Sequence, residues 1–268
     1  MTQSLRVWIQ GVGVLAPGVH NWAQLQQIWQ NAEAYVEAPA VLPAPELLPS
    51  AERRRASRVI KVAMAVASEA VQQAHVQAAD LATVFTSSTG DGTNCHALCE
   101  TLAGDRMVSP TRFHNSVHNT AAGYWCIAVG AKKACQVLAG YDGSFSVGLY
   151  EAAVQVAVDQ EPLLLVSYDN DYPEPLFSAR PVTDAAGIAL VLGPTRTETS
   201  LACCDITWET HSGGGVSNVA PEALDALRDK IPCLRGLPLL QALVQAGSST
   251  VLLESVKGQA LRVQVTPC

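Results

Sequence analysis

Asp142 sits in Tyr141-Asp-Gly-Ser144, between a short apolar strand and a helix. A side chain at such an elbow is presented to a site against the positive end of a helix dipole. The residues themselves leave two roles open. An Asp ahead of Gly-Ser at a helix start can serve as the N-cap, accepting a backbone N–H. The same carboxylate could instead act electrostatically in a pocket, or assist a decarboxylation. Held ionised there, it is a poor nucleophile and a worse general acid.

The eight cysteines are the other nucleophile candidates. Cys126 lies in an apolar helical run and Cys135 in the short strand, and both are expected in the core. Cys203 and Cys204 alternate on a strand, so one of them can face outward, with no base nearby in sequence. Without secretory features, these read as reduced thiols and not as a disulfide framework. Cys95 and Cys99, with His96 between, have a helical i, i+4 spacing that suits a metal, but no second ligand pair matches them, so no metal is expected. His114 and His118 suggest loop capping or interface contacts, and His211 stands in a glycine-rich loop. Glu52-Arg-Arg-Arg55 reads either as a contact for phosphate or a carrier, or as a solvated helix turn. Thr89-Gly-Asp-Gly92 is not followed by Lys-Ser/Thr, which excludes a phosphate loop. No cofactor is implied.

These groups are positioned by an alternation of strands and helices. Leu5–Val14 reads as a strand, Trp22–Trp29 as a helix with Trp22, Leu25, Ile28 and Trp29 on one face, and residues 31–51 as an irregular loop. A helix is expected over Ser57–Ala74, its stripe of Val59, Ala63, Val66, Ala67 and Ala70 suited to tight packing on a sheet. Leu81–Ser88 reads as a strand, Thr93–Leu102 as a helix and residues 104–119 as irregular. Ala121–Ala131 is helix-compatible. Ala134–Ala139 reads as a buried strand, and the helix after Asp142 places Val147, Tyr150, Val154 and Val158 at i, i+3, i+7 and i+11. Leu163–Tyr168 and Ala186–Gly193 are apolar strands, Leu201–Glu209 a further one. Helices over Pro221–Arg228 and Leu237–Gln245 precede a closing hairpin, Thr250–Glu254 with Ala260–Val265.

The chain has 268 residues, 49% of them hydrophobic and 15% charged, with a net charge of −7. That balance suits a heavily buried sheet or a large subunit interface, and it argues against nucleic acid as a partner. No apolar run reaches the ~18 residues of a membrane span. No signal peptide is read at the start, so a cytoplasmic location is expected.

One long stretch resembles the β-ketoacyl synthases of the thiolase superfamily. Their pattern of Asn, two residues, Ala-Gly, an aromatic, Ile-x-x-Gly, a short strand and a turn into a long helix is matched by Asn119, Ala122-Gly123, Tyr124, Ile127, Gly130, Val137–Ala139 and Ala152-Ala153. The resemblance covers residues 5 to about 195 and fades beyond. It implies an α/β, thiolase-like layered α/β/α/β/α fold, its N-terminal half (1–195) complete and its C-terminal half (196–268) shortened within one domain. In this register Asp142 occupies the place of the family's nucleophilic cysteine. The family also takes two histidines from its second half, but the one histidine after Asp142 is His211, in neither expected context. Nucleophile and both imidazoles are missing together, which implies a subunit that no longer condenses acyl groups.

Non-catalytic relatives of this kind are chain length factors. Each pairs with an active ketosynthase and shapes its acyl tunnel. Asn119-Thr-Ala-Ala-Gly-Tyr-Trp125 is similar to the run found in the short version from bacterial aryl polyene clusters. The resemblance therefore implies a heterodimer with an active ketosynthase, with acyl carrier protein engaged indirectly. The dimer would form about residues 133–141, with 104–120 reaching over the partner's pocket. The implied interface and tunnel residues are Met107, Phe113, His114, Cys135, Val137, Ala139, Tyr141, Asp142 and Phe145. The alternatives are an independent thiolase-like acyltransferase or decarboxylase using Asp142 or His211, and a homodimeric acyl-binding scaffold.

Overall fold

The computed structural model describes residues 4–210 and 215–268, so His211 lies outside the described residues. Eight strands form one mixed sheet in the order β3-β2-β4-β5-β1-β6-β8-β7. They are β1 (Leu5–Leu15), β2 (Ala82–Thr86), β3 (Cys135–Leu138), β4 (Leu163–Asp169), β5 (Ala186–Gly193), β6 (Ala202–Thr210), β7 (Ser249–Glu254) and β8 (Gln259–Pro267). β2 pairs in parallel with both β3 and β4, and every other pairing is antiparallel. Every residue of β4 and β5 is buried, because helices cover both faces there.

The helices are α1 (Trp22–Gln30), α2 (Ser50–Arg55), α3 (Arg58–Ala74), α4 (Gly92–Ala103), α5 (Pro110–His114), α6 (Thr120–Val129), α7 (Ser144–Asp159), α8 (Leu176–Ala179), α9 (Glu222–Lys230) and α10 (Leu237–Ala242). One face of the sheet carries α3 and α6; the other carries α1, α7 and α10. The small-residue stripe of α3 is buried as its spacing predicts, and it meets β1 at two glycines. A Cβ on Gly13 would fall 2.0 Å from the Val66 carbonyl oxygen, and one on Gly11 2.2 Å from that of Ala70. Glycine is what lets helix and strand touch backbone to backbone. α3 repays the strand with polar side chains. Glu69 accepts the N–H groups of Val14 (3.0 Å) and Trp22 (2.7 Å), and Gln73 that of Val12 (2.5 Å). Burial pushes the Glu69 carboxyl above its ordinary pKa, partly opposed by those two N–H bonds.

α7 is the centre of the larger core cluster. Its buried stripe is Phe145, Leu149, Ala152, Ala153 and Val156, which packs with residues of β1, β4 and β5 and also of β6, β7 and β8. The helix predicted by the spacing of Val147, Tyr150, Val154 and Val158 is present, with the first three of these half-buried and Val158 exposed. Large β-branched residues stand at that face, but small ones (Gly148, Ala152, Ala153) mark the side where strands approach closely.

The C-terminal part extends the same sheet. Along β6, Ala202, Cys204 and Ile206 are buried while Cys203, Asp205 and Thr207 are half-exposed, so one face alone is covered. The open face carries the exposed ion pairs Arg6–Asp205 and Arg262–Glu209, both at 2.8 Å. Among the described residues no helix packs over it.

Other readings shift at the ends of elements. The expected irregular segment 104–119 contains the short helix α5, capped by Ser109. The last helix ends at Ala242, after a 3-10 turn over Pro232–Gly236. β3, read as buried, is the sheet's outer strand: Cys135 and Gln136 are exposed, Val137 and Leu138 half-buried. Cys135 is therefore not a core thiol in this chain by itself. Cys126 is half-buried, and burial together with the neighbouring Cys135 pushes its thiol up to about 11.

Candidate functional site

β3 delivers the chain to a tight 3-10 turn, Tyr141–Gly143, on which α7 begins. Tyr141 takes a left-handed conformation at φ 55°, a cost of order 1 kcal/mol or more for a side chain of its size. Gly143 lies flat against the segment after β7; a Cβ there would sit 2.5 Å from the backbone of Ser255. Ser144 ties the turn together, accepting from Gly140 N–H at 3.0 Å and donating to the Tyr141 carbonyl at 2.7 Å.

Asp142 is not a helix cap, as its position in the sequence suggested; neither the turn nor α7 has a side-chain cap. Its carboxylate is taken by arginines from two distant segments. Arg180 bonds one oxygen, and Arg235 approaches the other at 3.6 Å. Arg235 also pairs with Glu254 at the end of β7. Arg180 donates to the Tyr172 hydroxyl at 2.7 Å, and its guanidinium lies 3.8 Å from the Tyr141 ring centre. Both arginine side chains are largely buried, 15% and 11% exposed. Burial works against each cation. It holds Arg235 below its ordinary value despite the pull of Asp142, whereas the bond to Asp142 lifts Arg180 above its own.

Behind this pair lies a second buried carboxylate. Asp169 accepts from Ser88 N–H (2.8 Å), Ser88 Oγ (2.6 Å) and Cys233 N–H (2.8 Å). Burial raises its pKa, and those three bonds oppose the rise. The Ser88 and Tyr172 oxygens are 3.0 Å apart, so a polar chain runs from Asp142 through Arg180, Tyr172 and Ser88 to Asp169. Cys233 is fully buried and its thiol pushed well up by burial. It cannot supply a thiolate at neutral pH.

Arg180, Arg235, Tyr172, Asp169 and Glu254 were not foreseen as site residues. They come from segments far apart in the chain, and no local spacing links them; the acid-rich run Asp169-Asn-Asp-Tyr-Pro-Glu174 is the one local feature that holds two of them.

Of the other foreseen residues, only Tyr141 touches this polar chain, through Arg180. Met107, Phe113 and Tyr141 are strongly exposed at 79%, 67% and 62%. His114, Cys135 and Ala139 are exposed and Val137 half-buried. Phe145 is fully buried, its ring against Gly236, and so fills the core beneath the turn. A cavity of about 500 Å3 opens between α5 and α6, walled by Phe113, His114, Val117, Gly123, Tyr124 and Ile127. Arg55 and Arg53 of the triplet are engaged locally, with Glu52 and with the carbonyls of Glu46 and Leu48. Cys95, His96 and Cys99 form no cluster: among the described residues no group of three or more His, Cys, Asp or Glu could hold a metal ion.

The family model for the β-ketoacyl synthase N-terminal domain matches residues 20–249. The chain belongs to this family. No match was found among curated proteins. Among solved structures, the chain is similar to a ketosynthase (ApeO) in complex with its chain length factor (ApeC) from Xenorhabdus doucetiae. There the TM-score is 0.73 at 19% identity, over 97% of this chain and 99% of that one. It is also similar to the ishigamide ketosynthase/chain length factor, with TM-score 0.73 at 14% identity, covering 97% and 99%. A third is a type II polyketide synthase complex, AntDE with the acyl-carrier protein AntF, with TM-score 0.72 at 10% identity, covering 99% and 100%. At these identities the likeness is one of fold: a thiolase-like ketosynthase fold. No helix is long and apolar enough to cross a membrane.

Proposed function

We propose that this chain is a non-catalytic, chain-length-factor type subunit that forms a heterodimer with an active ketosynthase and helps shape its acyl tunnel. The observation that carries the reading is Asp142. At the position where the family places its nucleophile, this chain has a carboxylate neutralised by Arg180 and Arg235. A carboxylate engaged by two arginines is a poor nucleophile, which weakens the independent acyltransferase or decarboxylase reading so far as it uses Asp142.

Two features favour assembly through the β3 side. β3 has one hydrogen-bonded neighbour, β2, so its outer edge offers unpaired N–H and C=O groups to a partner strand. The α5–α6 cavity exposes Phe113, Val117 and Ile127, and Leu102, Met107 and Tyr141 are exposed as well, apolar surface of the kind that a protein partner covers. Segment 104–120 then reaches over the partner's pocket, with Met107, Phe113 and His114 against its acyl chain and Cys135, Val137, Ala139, Tyr141 and Asp142 along the junction. The acyl carrier protein docks through the partner. Aryl polyene biosynthesis is the pathway class suggested by the Asn119–Trp125 run, and the setting is the cytoplasm.

Native mass spectrometry tests this, with the chain expressed alone and beside the ketosynthase encoded nearest to it. A one-to-one complex is the expected result. A stable homodimer that ignores the ketosynthase overturns it. An acyl-carrier crosslinker should label the ketosynthase and leave this chain unmodified.

A further inference from the structure

Two of the chain's thiols meet although they belong to different elements. Cys126 lies near the end of α6, and Cys135 is the first residue of β3. Along α6, Ala122, Cys126 and Val129 recur at i, i+4 and i+7 and share one side of the helix. Ala122 is buried, and Val129 packs against the core cluster that joins α3 and α6 to the sheet. Cys126 is thus on the sheet-facing side of α6. Successive residues of a strand point to opposite faces. Val137 packs against that same cluster, whereas Leu138 packs against the one around α7. Cys135 shares the face of Val137 and so points toward α6. The chain between them turns sharply: Gly130, at φ 67°, and Ala131 both give their N–H groups to the Cys126 carbonyl, as at a left-handed helix end. The two sulfurs come within hydrogen-bonding range of each other.

The pair is unequally placed. Cys135 is exposed on the outer strand, open to a small solute, while Cys126 is half-buried. Burial first, and the neighbouring Cys135 after it, push the Cys126 thiol up to about 11, so it is slow to meet an oxidant by itself. Cys95 and Cys99 are also one turn apart, but both stand on α4, and a bond between them would join no two elements. A bond between Cys126 and Cys135 would fasten the last turn of α6 to the outer strand. β3 has one strand neighbour, β2. Its free side allows the small shift that brings two sulfurs to a bond of about 2.05 Å.

We propose that Cys126 and Cys135 form a reversible oxidation site that hydrogen peroxide closes to a disulfide. The Cys135 thiolate attacks one peroxide oxygen, and the O–O bond breaks. The other oxygen leaves as water, taking the proton that Cys135 had released, and Cys135 is now a sulfenic acid. The Cys126 sulfur then attacks the Cys135 sulfur. The S–O bond breaks, and the hydroxide leaves as water with the Cys126 proton. Two thiols and one peroxide become one disulfide and two waters, the peroxide being reduced by two electrons. A dithiol reductant reopens the bond by exchange through a mixed disulfide. Both sulfurs belong to this chain, so the inference stands apart from the subunit reading.

The test uses the full wild-type chain, reduced, freed of reductant and exposed under native conditions to a small excess of hydrogen peroxide. Remaining thiols are alkylated and the chain is digested with trypsin. Lys132 and Lys133 lie between the two cysteines, so a bond between them appears as two joined peptides, whereas Cys95 and Cys99 stay on one peptide. Expected is the Cys126–Cys135 linked pair as the main oxidised species, lost on treatment with dithiothreitol. Two variants, checked for folding by thermal unfolding, read the separate roles. Cys126→Ser should stop at a Cys135 sulfenic acid that dimedone captures. Cys135→Ser should leave Cys126 free to be alkylated after the same exposure. A folded wild-type chain that keeps both thiols free overturns the inference, whatever the variants do. So does Cys135 bonded to another cysteine of the chain or to a second copy. Dimedone capture at Cys126 in place of Cys135 overturns the assignment of roles.

Discussion

Arg180 and Asp142 form an ion pair that joins the loop before β5 to the turn that starts α7, and the same guanidinium stacks on Tyr141, the residue beside its partner. Asp142 is one third exposed while both arginines are largely buried. The pair is thus screened on the acid's side and desolvated on the cations' side, so the arginines lose more when it breaks.

Asp142→Ala should therefore destabilise the chain by about 1–3 kcal/mol, below the range for fully buried pairs because solvent reaches the carboxylate. Urea denaturation measures it. Asp142→Cys should lose similar stability and show no condensing activity with malonyl carrier protein. Turnover by that variant would contradict the assignment of this turn as chemically silent.

Two glycine-to-alanine changes should have opposite signs. At Gly13 the added methyl would collide with the Val66 carbonyl oxygen at 2.0 Å, and a loss of about 3 kcal/mol or more is expected. At Gly123, inside α6, nothing lies within 4 Å of the new Cβ, and a gain of about 0.5–1 kcal/mol is expected from helix propensity. Gly123 also walls the α5–α6 cavity, so the same variant should bind its partner less well while melting higher. Paired thermal and binding measurements separate the two effects.

Thiol labelling maps the assembly. Cys135 is exposed on the outer strand and should react readily with a maleimide in the free chain. In the complex it should be protected if β3 is the meeting edge. Cys204 and Cys233, both buried with thiols pushed up by burial, should stay unlabelled in either state until the chain unfolds. Equal labelling of Cys135 with and without the ketosynthase would place the interface elsewhere.

Glu69 gives a pH signature. Its folded pKa lies above the ordinary value because burial disfavours the charge. A carboxyl raised on folding contributes stability that is fully present below the unfolded pKa of about 4.3 and is lost as pH rises through the folded pKa. The wild-type chain should therefore lose stability relative to Glu69→Gln as pH climbs through that window, with a flat difference beyond it. Denaturation at a series of pH values reads this out, and the reverse slope would show that the two N–H bonds outweigh burial.

Much of the fold could be read in the chain because it is written in local patterns. The Gly11 and Gly13 pair and the alanine-valine stripe of α3 specify one another, and apolar runs mark β4 and β5. The spacing of Val147, Tyr150, Val154 and Val158 marks α7 as a helix but not its buried face, which runs through Phe145, Leu149, Ala152, Ala153 and Val156. Cys135 was expected inside because its strand is apolar, yet an apolar strand meant for a partner looks the same as one meant for a core. Asp142 could be singled out by position, but its clamp could not. Arg180 and Arg235 meet it through tertiary folding alone, and isolated arginines in loops carry no periodic signal.

If position 142 once carried the family's thiol, as the subunit reading proposes, the clamp would make that change hard to reverse. A single codon returning a thiol there would leave two largely buried guanidiniums facing it without a counter-charge. Such an intermediate is less stable than the present chain and has gained nothing for selection to keep. On that reading, restoring chemistry would require the arginines to change as well, along with a second histidine beside His211 in the chain after this turn. On the subunit reading proposed above, compensation around that residue would turn a substitution into a ratchet, and a lineage that passed it would diverge as a companion chain with no short path back to catalysis.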